Sequence, residues 1–523
     1  MKFLTIGSKA ALIHGGSGSS SLRISLFVRS LICLHLLFME SYLSSEEPLP
    51  PPKPVLKLSI DEAIRMALDK NYSIQIERLS PQIGEQVLRE TKGVFDPVFG
   101  VSYRYNYDDT LPSLLSTQQE AYTSKSDRLE VGISGETLWG GSYDIGMETV
   151  NSRYSFTEPI FGDDYSSFAG ITIRQPILRG FLNSISNSSV RIERNNLEIS
   201  TEVFRQQIID IVTEVMLAYY ELNFLDHNLQ IAIRNRDLAL QLLNDNKTRA
   251  EAGSMAPLDV VQAESEYALR QDGVIQARQS RNEAGNRIKG LISDNFVSLI
   301  GLDVEIENVL EVEQQATINA VTDLPAALDN RPDYRQLSLE LQNRRIELKR
   351  DRNQSLPSLD VVGAFGLLGR DATFSDSIDN LSGNDSQSYS IGLELSIPIA
   401  NRSRDSRRMQ SELRERRVEL ILRRLEQNIL VTLENLSTRV EANWERVMAA
   451  KKAVNLARRS LEAEEKKLKA GTSNTFIVLR LQTDLANAEI REYSTIRDYM
   501  NSLAEYSRAI GITLDDNNIH IDS

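Results

Sequence analysis

Cysteine is almost absent from the chain, which contains only Cys33 among its 523 residues. A single cysteine excludes an intramolecular disulfide, a CxxC redox pair and a zinc site built from cysteines. Histidine is also scarce, with four residues, and no second metal ligand lies three or four positions from His227. The motifs HExxH, GxSxG, GxxxxGK[ST] and GxGxxG are missing. The sequence therefore favours a protein that is not an enzyme and that carries no metal or other cofactor.

Positive charge is in deficit, because 59 Lys and Arg residues face 73 Asp and Glu residues and leave a net charge of −14. This acidic balance argues against a protein that binds nucleic acid. A mean hydropathy of −0.29 excludes a bundle of membrane-spanning helices. Membrane β-strands give only a weak hydropathy signal, so they are not excluded.

Long apolar runs are missing as well, and the most compact one covers residues 30–39. It follows Arg23 and Arg29 and is too short to span a membrane as a helix. This pattern is typical of an export signal, which we place at residues 1–45. The proline-rich stretch that follows, residues 46–57, predicts an extended linker.

Glycine and proline are absent from two stretches of 72 residues each, 181–252 and 399–470. If each stretch is helical throughout, it is about 100 Å long, at a rise of about 1.5 Å per residue. Apolar residues recur every seven positions in both stretches, which predicts coiled-coil packing. In the second stretch these residues are Leu433, Val440, Val447, Val454, Leu461 and Leu468.

Each long stretch ends at a glycine, Gly253 or Gly471, where a helix can stop and the chain can turn back. Pro257 suits the first turn of the helix that follows Gly253. We therefore predict two helical hairpins with turns at these residues. Their returning helices are expected at residues 258–300 and 474–510.

The order of segments is repeated, which predicts two structural repeats at residues 58–310 and 311–523. The segment ITIRQPI at residues 171–177 corresponds to LELSIPI at residues 393–399, and each precedes a long helical stretch. The other predicted elements are short helices and strands at about 95–176 in the first repeat, and a helix at 333–354 and strands at about 357–397 in the second.

The strand regions alternate between apolar and polar residues, as half-exposed β-strands do. Tyr103 and Tyr105, for example, flank Arg104. A soluble sheet with one wet face and a membrane β-barrel both fit this pattern. The export signal and the long helices favour the barrel, with the tyrosines toward lipid and the charges toward an aqueous lumen. The candidate lumen-facing residues are Arg104, Glu130, Glu148, Arg174 and Glu394.

Three motifs, taken together and in order, resemble the TolC-type outer-membrane efflux family. They are LSIDEAIRMALDKNY at residues 58–72, Arg331-Pro332-Asp333 before a helix, and AGSMAPLDV at residues 252–260. The resemblance implies a mixed α and β membrane protein that is internally duplicated and assembles as a homotrimer. Each chain would give four strands to a twelve-stranded antiparallel β-barrel in outer-membrane lipid. Its long antiparallel helices would form an α-barrel tunnel in the periplasm.

The same resemblance implies a function. The trimer would be the channel-tunnel of a tripartite efflux or type I secretion system, and it would pass small molecules or polypeptides to the exterior. Its expected partners are a periplasmic adaptor protein and an inner-membrane transporter. The alternative is a periplasmic coiled-coil adaptor or scaffold protein that has no membrane barrel.

The first strand region departs from the family pattern. Pro97 and Pro176 are 79 positions apart, whereas Pro357 and Pro398 are 41 apart. The additional residues, at about 108–150, form either two more barrel strands or a hairpin in an outer loop. We favour the outer loop.

The resemblance also points to a gate at the hairpin tips, where the family has ionic links between helices and rings of aspartate. Asp259 keeps the acidic residue of the first tip. At the second tip, Ser473, Ile477 and Arg480 replace the family's arginine and aspartates. Three unpaired Arg480 side chains around a threefold axis would repel one another. We therefore predict that Arg480 pairs with Asp259 or Asp484, and that Ile477 supplies an apolar plug.

Overall fold

The computed structural model describes residues 54–110, 122–155, 162–253, 256–307, 312, 314–383, 386–470 and 472–520. The predicted export signal and most of the predicted linker lie outside these residues. Within them, long helices pair into two hairpins, and most of the strands join one antiparallel sheet.

The strands of the described residues fall into a two-stranded and a six-stranded sheet. They are β1 (Val55–Leu58), β2 (Val98–Thr110), β3 (Tyr122–Glu136), β4 (Ser142–Ser155), β5 (Asp164–Pro176), β6 (Asp303–Ile306), β7 (Ser358–Asp371) and β8 (Gln387–Ser396).

The α-helices range from one turn to nearly seventy residues. They are α1 (Ile60–Lys70), α2 (Tyr72–Glu77), α3 (Leu79–Lys92), α4 (Asn183–Ser186), α5 (Ser188–Glu251), α6 (Pro257–Ile292), α7 (Ala320–Asn330), α8 (Pro332–Gln354), α9 (Phe374–Ser382), α10 (Arg402–Lys469), α11 (Thr475–Ile510) and α12 (Thr513–Asp516). In the described part of the chain, no helix combines the length and the apolarity that crossing a membrane requires.

Two helical hairpins, α5–α6 and α10–α11, occupy the regions where the sequence predicts them. The α5 helix has 64 residues and α10 has 68, and each returning helix has 36. The first long helix begins at Ser188 instead of residue 181, because Gly180 and Leu182 have positive φ angles and turn the chain there. The second begins at Arg402 instead of residue 399.

The first returning helix is shorter than the predicted range of 258–300. The α6 helix ends at Ile292, because Ser293 adopts an extended conformation and a 3₁₀ turn, Phe296–Leu299, follows. The second returning helix, α11, runs from Thr475 to Ile510 and is capped by the Asn474 side chain, which accepts a hydrogen bond from the Ile477 amide at 3.0 Å.

Apolar residues at heptad spacing form the seams of both hairpins. The buried members on α10 are Leu433, Val440, Val447, Val454 and Leu461. On α5, Ile208, Val215 and Leu222 are buried in the same way. Burial of a side chain of this size stabilises the fold by about 1.5–3 kcal/mol, so these seams account for much of the stability of each helix pair.

Two joints align short helices with the ends of the returning helices. Asn71, just before α2, donates a hydrogen bond from Nδ2 to the Leu291 carbonyl at the end of α6 (2.9 Å). Arg331, just before α8, donates from Nη1 to the Ala509 carbonyl at the end of α11 (2.8 Å). The short helices α3 and α8 then pack along the long helices where α6 and α11 have ended, with Gly84 of α3 close to Leu197 of α5.

The last residues of the predicted linker belong to a sheet, because residues 55–58 form β1. This strand pairs in parallel with β6, and Leu58 pairs with Ile306. Leu58 is fully buried in the largest hydrophobic core, together with Val304 and Tyr219. These apolar side chains tie residues 55–57, which we had assigned to the linker, to the folded chain.

The six-stranded sheet has the order β2-β3-β4-β5-β7-β8, and every neighbouring pair is antiparallel. The prediction of an outer-loop hairpin at about 108–150 is therefore wrong, since β3 and β4 lie in the sheet between β2 and β5. Their alternating residues give them one apolar and one polar face, which match the faces of their neighbours. In the second repeat, the predicted strand region contains β7, the short helix α9 and β8.

One face of the six-stranded sheet carries a band of apolar side chains that crosses all six strands, and the ion pair of Asp127 with Arg153 lies on the same face beyond this band. Cross-strand partners point to the same side, and the register places Val101 beside Val131, Ile145 beside Ile171, and Phe365 beside Tyr389. Tyr103 lies on this face, and its hydroxyl donates a hydrogen bond to Asp127 Oδ1 at 2.6 Å.

Candidate functional site

The five residues predicted to face a lumen all lie on the polar face of the six-stranded sheet. Ser102 pairs with Glu130, and Glu130 pairs with Glu148. Even-numbered residues of β2, β5 and β8 share this face, which therefore carries Arg104, Arg174 and Glu394 as well. Tyr103 and Tyr105 lie on the opposite face.

Charges on the polar face are arranged in ion-paired groups. Arg174 Nη1 lies 2.6 Å from Glu394 Oε2 and 3.2 Å from Asp360 Oδ2, which links β5, β7 and β8. Arg128 Nη1 lies 2.7 Å from Glu148 Oε1, which links β3 and β4. Exposed pairs of this kind contribute about 0–1 kcal/mol each, so they set the local charge pattern more than the stability.

A row of glycines crosses the polar face at one level. The register pairs each glycine with the next, in the order Gly100, Gly132, Gly146, Gly170 and Gly366. An added Cβ on Gly146 would lie 2.6 Å from the Val131 carbonyl oxygen, and one on Gly170 would lie 2.4 Å from that of Phe365. The strands thus approach one another on this face too closely for side chains, and the sheet can bend toward it. This row was not predicted from the sequence, although β2, β3, β4, β5 and β7 each contribute one glycine to it.

The short helix α9 packs on the opposite face, against β5 and β7. A chain of buried hydroxyls holds it there: Thr149 Oγ1 and Ser167 Oγ are 2.9 Å apart, and Ser167 Oγ and Ser377 Oγ are 3.0 Å apart. Gly369 lies directly beneath the helix, where a Cβ would meet the Ser377 carbonyl. This helix was not predicted, because its nine residues lie within the range assigned to strands.

The first hairpin tip is built as the sequence indicates. Gly253 has a φ of +72°, and its amide donates to the Ala250 carbonyl at 3.0 Å, which ends α5. Pro257 stands in the first turn of α6. Asp259 is half-buried in the same turn.

The second hairpin tip uses a side-chain contact that the sequence analysis did not identify. Ser473 Oγ donates a hydrogen bond to Glu464 Oε1 at 2.5 Å, and Lys467 forms an ion pair with the same carboxylate at 2.9 Å. The hydrogen bond from Ser473, followed by the contact with Lys467, holds the pKa of Glu464 below its ordinary value. Gly471, the predicted turn residue, lies outside the described residues.

A groove of about 790 Å³ separates the two tips and brings three of the predicted gate residues together. Asp259 lines it from α6, and Arg480 and Asp484 line it from α11. Arg480 forms no ion pair with either carboxylate among the described residues of this chain. Ile477 does not line the groove and has 39% of its side chain exposed.

Arg270 joins the two hairpins beside this groove. It forms an ion pair with Glu266 on its own helix at 2.9 Å, and its Nη2 donates to Thr483 Oγ1 on α11 at 3.2 Å. Its Nη1 donates to the Asn235 carbonyl on α5, also at 3.2 Å. One guanidinium therefore contacts α5, α6 and α11, and two of its partners, Glu266 and Thr483, line the groove.

Glu489 forms a second link between the repeats. Its side chain is only 10% exposed, and its two oxygens lie 3.3 Å from Arg234 on α5 and 3.3 Å from Arg458 on α10. Nearby Glu492 is partly buried, and desolvation raises its pKa. The sequence could not single out Glu489, because many similar glutamates lie on the exposed faces of the same helices.

Comparison with known families identifies the architecture. Residues 142–293 and 324–511 match the family described as outer membrane efflux protein, and these ranges make up more than half of the chain. This chain belongs to that family. It is a protein of the outer membrane with a long helical extension into the periplasm.

Individual relatives agree with this assignment. The chain is 22% identical over 383 residues to the alkaline protease secretion protein AprF of Pseudomonas aeruginosa, covering 70% of this chain and 73% of AprF. It is 23% identical over 397 residues to the outer membrane protein TolC of Escherichia coli, covering 73% and 74%. The structure of the outer-membrane channel OprN has the same fold, with a TM-score of 0.63 at 15% identity, and the match covers 86% of this chain and 89% of that one.

The match to the outer membrane efflux protein family begins at residue 142, the first residue of β4. Strands β2 and β3 therefore lie outside the matched residues, although β2 to β5 form one continuous antiparallel array.

Proposed function

We propose that the protein forms a homotrimeric channel-tunnel through the outer membrane, as part of a tripartite efflux or type I secretion system. Small molecules or polypeptides would pass from an inner-membrane transporter to the exterior. The observation that carries this proposal is the six-stranded sheet, which has one apolar face and two unpaired edges and stands at the end of two long helical hairpins.

The sheet of one chain cannot exist in lipid by itself. Edge strands present unpaired N–H and C=O groups, and each unsatisfied group costs several kcal/mol in a bilayer. Closure with further copies removes these edges and directs the apolar face to lipid. The charged face, with Arg174 and Glu394, then surrounds an aqueous lumen.

The long helices support the periplasmic part of the proposal. A helix of 68 residues such as α10 extends about 100 Å at about 1.5 Å per residue. This helix also carries large apolar side chains that its own chain leaves exposed: Met409, Leu413, Leu420, Leu430, Val431, Met448 and Leu456. Neighbouring copies would cover these side chains in a ring of helices.

The hairpin tips are the expected docking place for a periplasmic adaptor protein and an inner-membrane transporter. They lie at the far end of the helices from the sheet, and the groove between them is lined by charged and apolar side chains together. In the trimer, carboxylates of the neighbouring copy would be available to Arg480, which has no partner among the described residues of its own chain. Asp259, Arg480, Asp484 and Ile477 would together control the entrance.

Fractionation of cells expressing the full chain tests the proposal. We expect the protein to remain in the detergent-insoluble outer-membrane fraction and to cross-link as a trimer. A chain found in the soluble periplasmic fraction would instead indicate the scaffold alternative.

A matched pair of variants makes the same experiment specific to the sheet. Ile391→Arg places a charge on the apolar face of β8, where it costs about 2–4 kcal/mol at mid-depth in lipid, and Ser390→Arg places the same charge on the polar face. We expect Ile391→Arg to reduce the outer-membrane trimer and Ser390→Arg to preserve it. Equal yields of the two variants would contradict the proposed orientation.

A further inference from the structure

We propose that three copies close a wall of eighteen strands, in which β2 of each copy pairs with β8 of the next. This inference rests on the proposed function and goes beyond it, because relatives that give four strands per chain would close a wall of twelve. The partner that completes each edge is a second copy of this chain.

The two edge strands are the most exposed apolar strands of the chain. Tyr103 on β2 has 67% of its side chain exposed, and Ile391 and Leu393 on β8 have 84% and 70% exposed. Each edge also carries a row of backbone groups without a ladder partner among the described strands. These strands therefore need both a pairing strand and an apolar environment.

The directions of the edge strands agree with such pairing. Every neighbouring pair in the sheet is antiparallel, so the first and last strands of an even-numbered sheet run in opposite directions. When β8 of one copy meets β2 of the next, the pair is again antiparallel. The alternation then continues around the ring without a break.

The faces of the edge strands agree as well. Odd-numbered residues of both β2 and β8 lie on the apolar face, including Val101, Tyr103, Ile391 and Leu393. A register that pairs odd residues with odd residues keeps the apolar face continuous across the junction. A shift by one residue would reverse every side chain of the partner strand.

The slant of the sheet fits a closed wall. Starting at Val98, the first residue of β2, we move from each residue to its partner on the next strand until β8 is reached. This path ends at Ser390, which is six residues before Ser396, the last residue of β8. The path is Val98, Ser134, Asp144, Thr172, Ala364 and Ser390. Six residues of stagger over five steps correspond to a strand tilt of about 40°, with about 3.3 Å per residue and 4.8 Å between strands. Closed barrels have tilts of about 35–45°.

The inserted hairpin belongs to this wall and not to an appendage. Strand β3 pairs with β2 along its full length, and β4 pairs with β5 from Ser142 to Ser152. The glycine row passes through all of these strands, and the close approach of neighbouring strands continues from Gly132 to Gly366. Since barrel diameter grows roughly in proportion to strand number, the lumen would be about half as wide again as that of a twelve-stranded wall.

Cysteine pairs in the full chain, with Cys33→Ser as background, test the strand order in the outer membrane. Across the junction, Val101→Cys is combined in turn with Ile391→Cys, Leu393→Cys or Leu395→Cys, and a short thiol cross-linker is added. We expect covalent trimers from one or two of these combinations. The matched controls combine Val101→Cys with Gly392→Cys or Glu394→Cys on the other face, and they should give only monomers.

A second set of pairs tests whether the hairpin is in the wall. We expect internal cross-links in Val101→Cys with Val131→Cys and in Ile145→Cys with Ile171→Cys, identified by mass spectrometry of the joined peptides. A cross-link between Val101→Cys and Ile171→Cys in place of these would show that β2 pairs directly with β5. That result would overturn the eighteen-stranded wall and leave the trimeric channel standing.

Two further results of the cross-linking experiments would also overturn the inference, and they can be told apart. Cross-linking of Val101→Cys to β8 within one chain, with monomer mobility, would mean that the sheet closes on itself, and it would overturn the inference. Absence of any trimer, including in the Cys33→Ser background, would remove the proposed function and the inference with it.

Discussion

The two halves of the duplicated chain agree in their helices and differ in their strands. Both returning helices have 36 residues, and the long helices differ by only four. The first half has four strands in the large sheet, however, and the second has two strands and a short helix. The returning helices cannot change length independently, because a joint at the end of each one matches it to a short helix. The sheet tolerates insertion of a whole hairpin, since two added strands return the chain to the same edge.

The halves also differ in the arrangement of their hydrophobic cores. The first half forms the largest core, which combines α5 with α1, β1 and β6. The core of the second half is split into two smaller clusters along α10 and α11. In the proposed trimer the second half would depend more on contacts with other chains, and we expect those contacts at the exposed apolar residues of α10.

The largest effect is expected where the two halves meet in the sheet, at Gly170 of β5 and Gly366 of β7. Gly170→Val would place its Cβ 2.4 Å from the Phe365 carbonyl oxygen and 2.8 Å from the Gly366 Cα. Overpacking of this kind costs about 1–3 kcal/mol or more, and we expect loss of the heat-resistant trimer on gel electrophoresis. Gly363→Val, on the interior strand β7, is the control, because the nearest heavy atom to its added Cβ, the Ser390 carbonyl oxygen, lies 3.9 Å away. Similar melting temperatures for the two variants would mean that the glycine row does not govern strand approach.

A smaller effect is expected where the halves meet in the helices. Glu489→Gln removes the charge that Arg234 of the first half and Arg458 of the second half share. Hydrogen bonds to charged groups contribute about 1.5–3 kcal/mol, and both arginines are partly exposed, so we expect a loss near the lower end. Thermal unfolding followed by circular dichroism measures it. Glu505→Gln, which removes an exposed pair with Arg439 within the second half, should change the melting temperature much less, and an equal change would contradict the linking role of Glu489.

The smallest effect is expected at the tips, where the halves carry different residues. Asp259→Ala on the first tip and Arg480→Ala or Ile477→Ser on the second should raise the conductance of purified trimers in planar bilayers. Exposed ion pairs contribute about 0–1 kcal/mol, which corresponds to at most about a fivefold change in the open fraction. Asp245→Ala, an exposed carboxylate outside the groove, serves as the control. If all three tip variants conduct as the unchanged protein does at low and high salt, these residues do not gate the channel.

The helices were predictable from the sequence and the strand order was not, for physical reasons. Heptad residues such as Leu433 and Val447 repeat over ten turns, and glycine or proline marks the tips, so the signal accumulates along the chain. Period-two alternation assigned Arg104 and Glu130 to one face correctly. It could not tell which strand pairs with which, because pairing depends on partners far away in sequence. The outer-loop hairpin was therefore placed wrongly.

The candidate site shows the same contrast between features with a local sequence signal and features that depend on distant residues. Gly253, Pro257 and Asp259 could be found because turn chemistry is local. The groove could not be predicted, because it lies between two tips that are more than 200 residues apart in the chain. The contact of Arg270 with Thr483 beside it spans 213 positions. No local pattern in the sequence marks such a pair. Only the fold distinguishes the charged residues of the groove from the rest of the 59 Lys and Arg and 73 Asp and Glu residues of the chain.

The joints at the ends of the returning helices are expected to form late in folding. The hydrogen bond between Asn71 and Leu291 spans 220 residues, and that between Arg331 and Ala509 spans 178. Contacts across such distances carry a large loop-closure entropy and form late, whereas the antiparallel contacts near each hairpin turn are local and form early. Strands β2 to β5 lie between Asn71 and α5 in the chain, so we expect them to be synthesised before this joint can close and to lack their later sheet partner β7 in that interval. A folding helper that binds extended apolar segments would act on the chain in this interval.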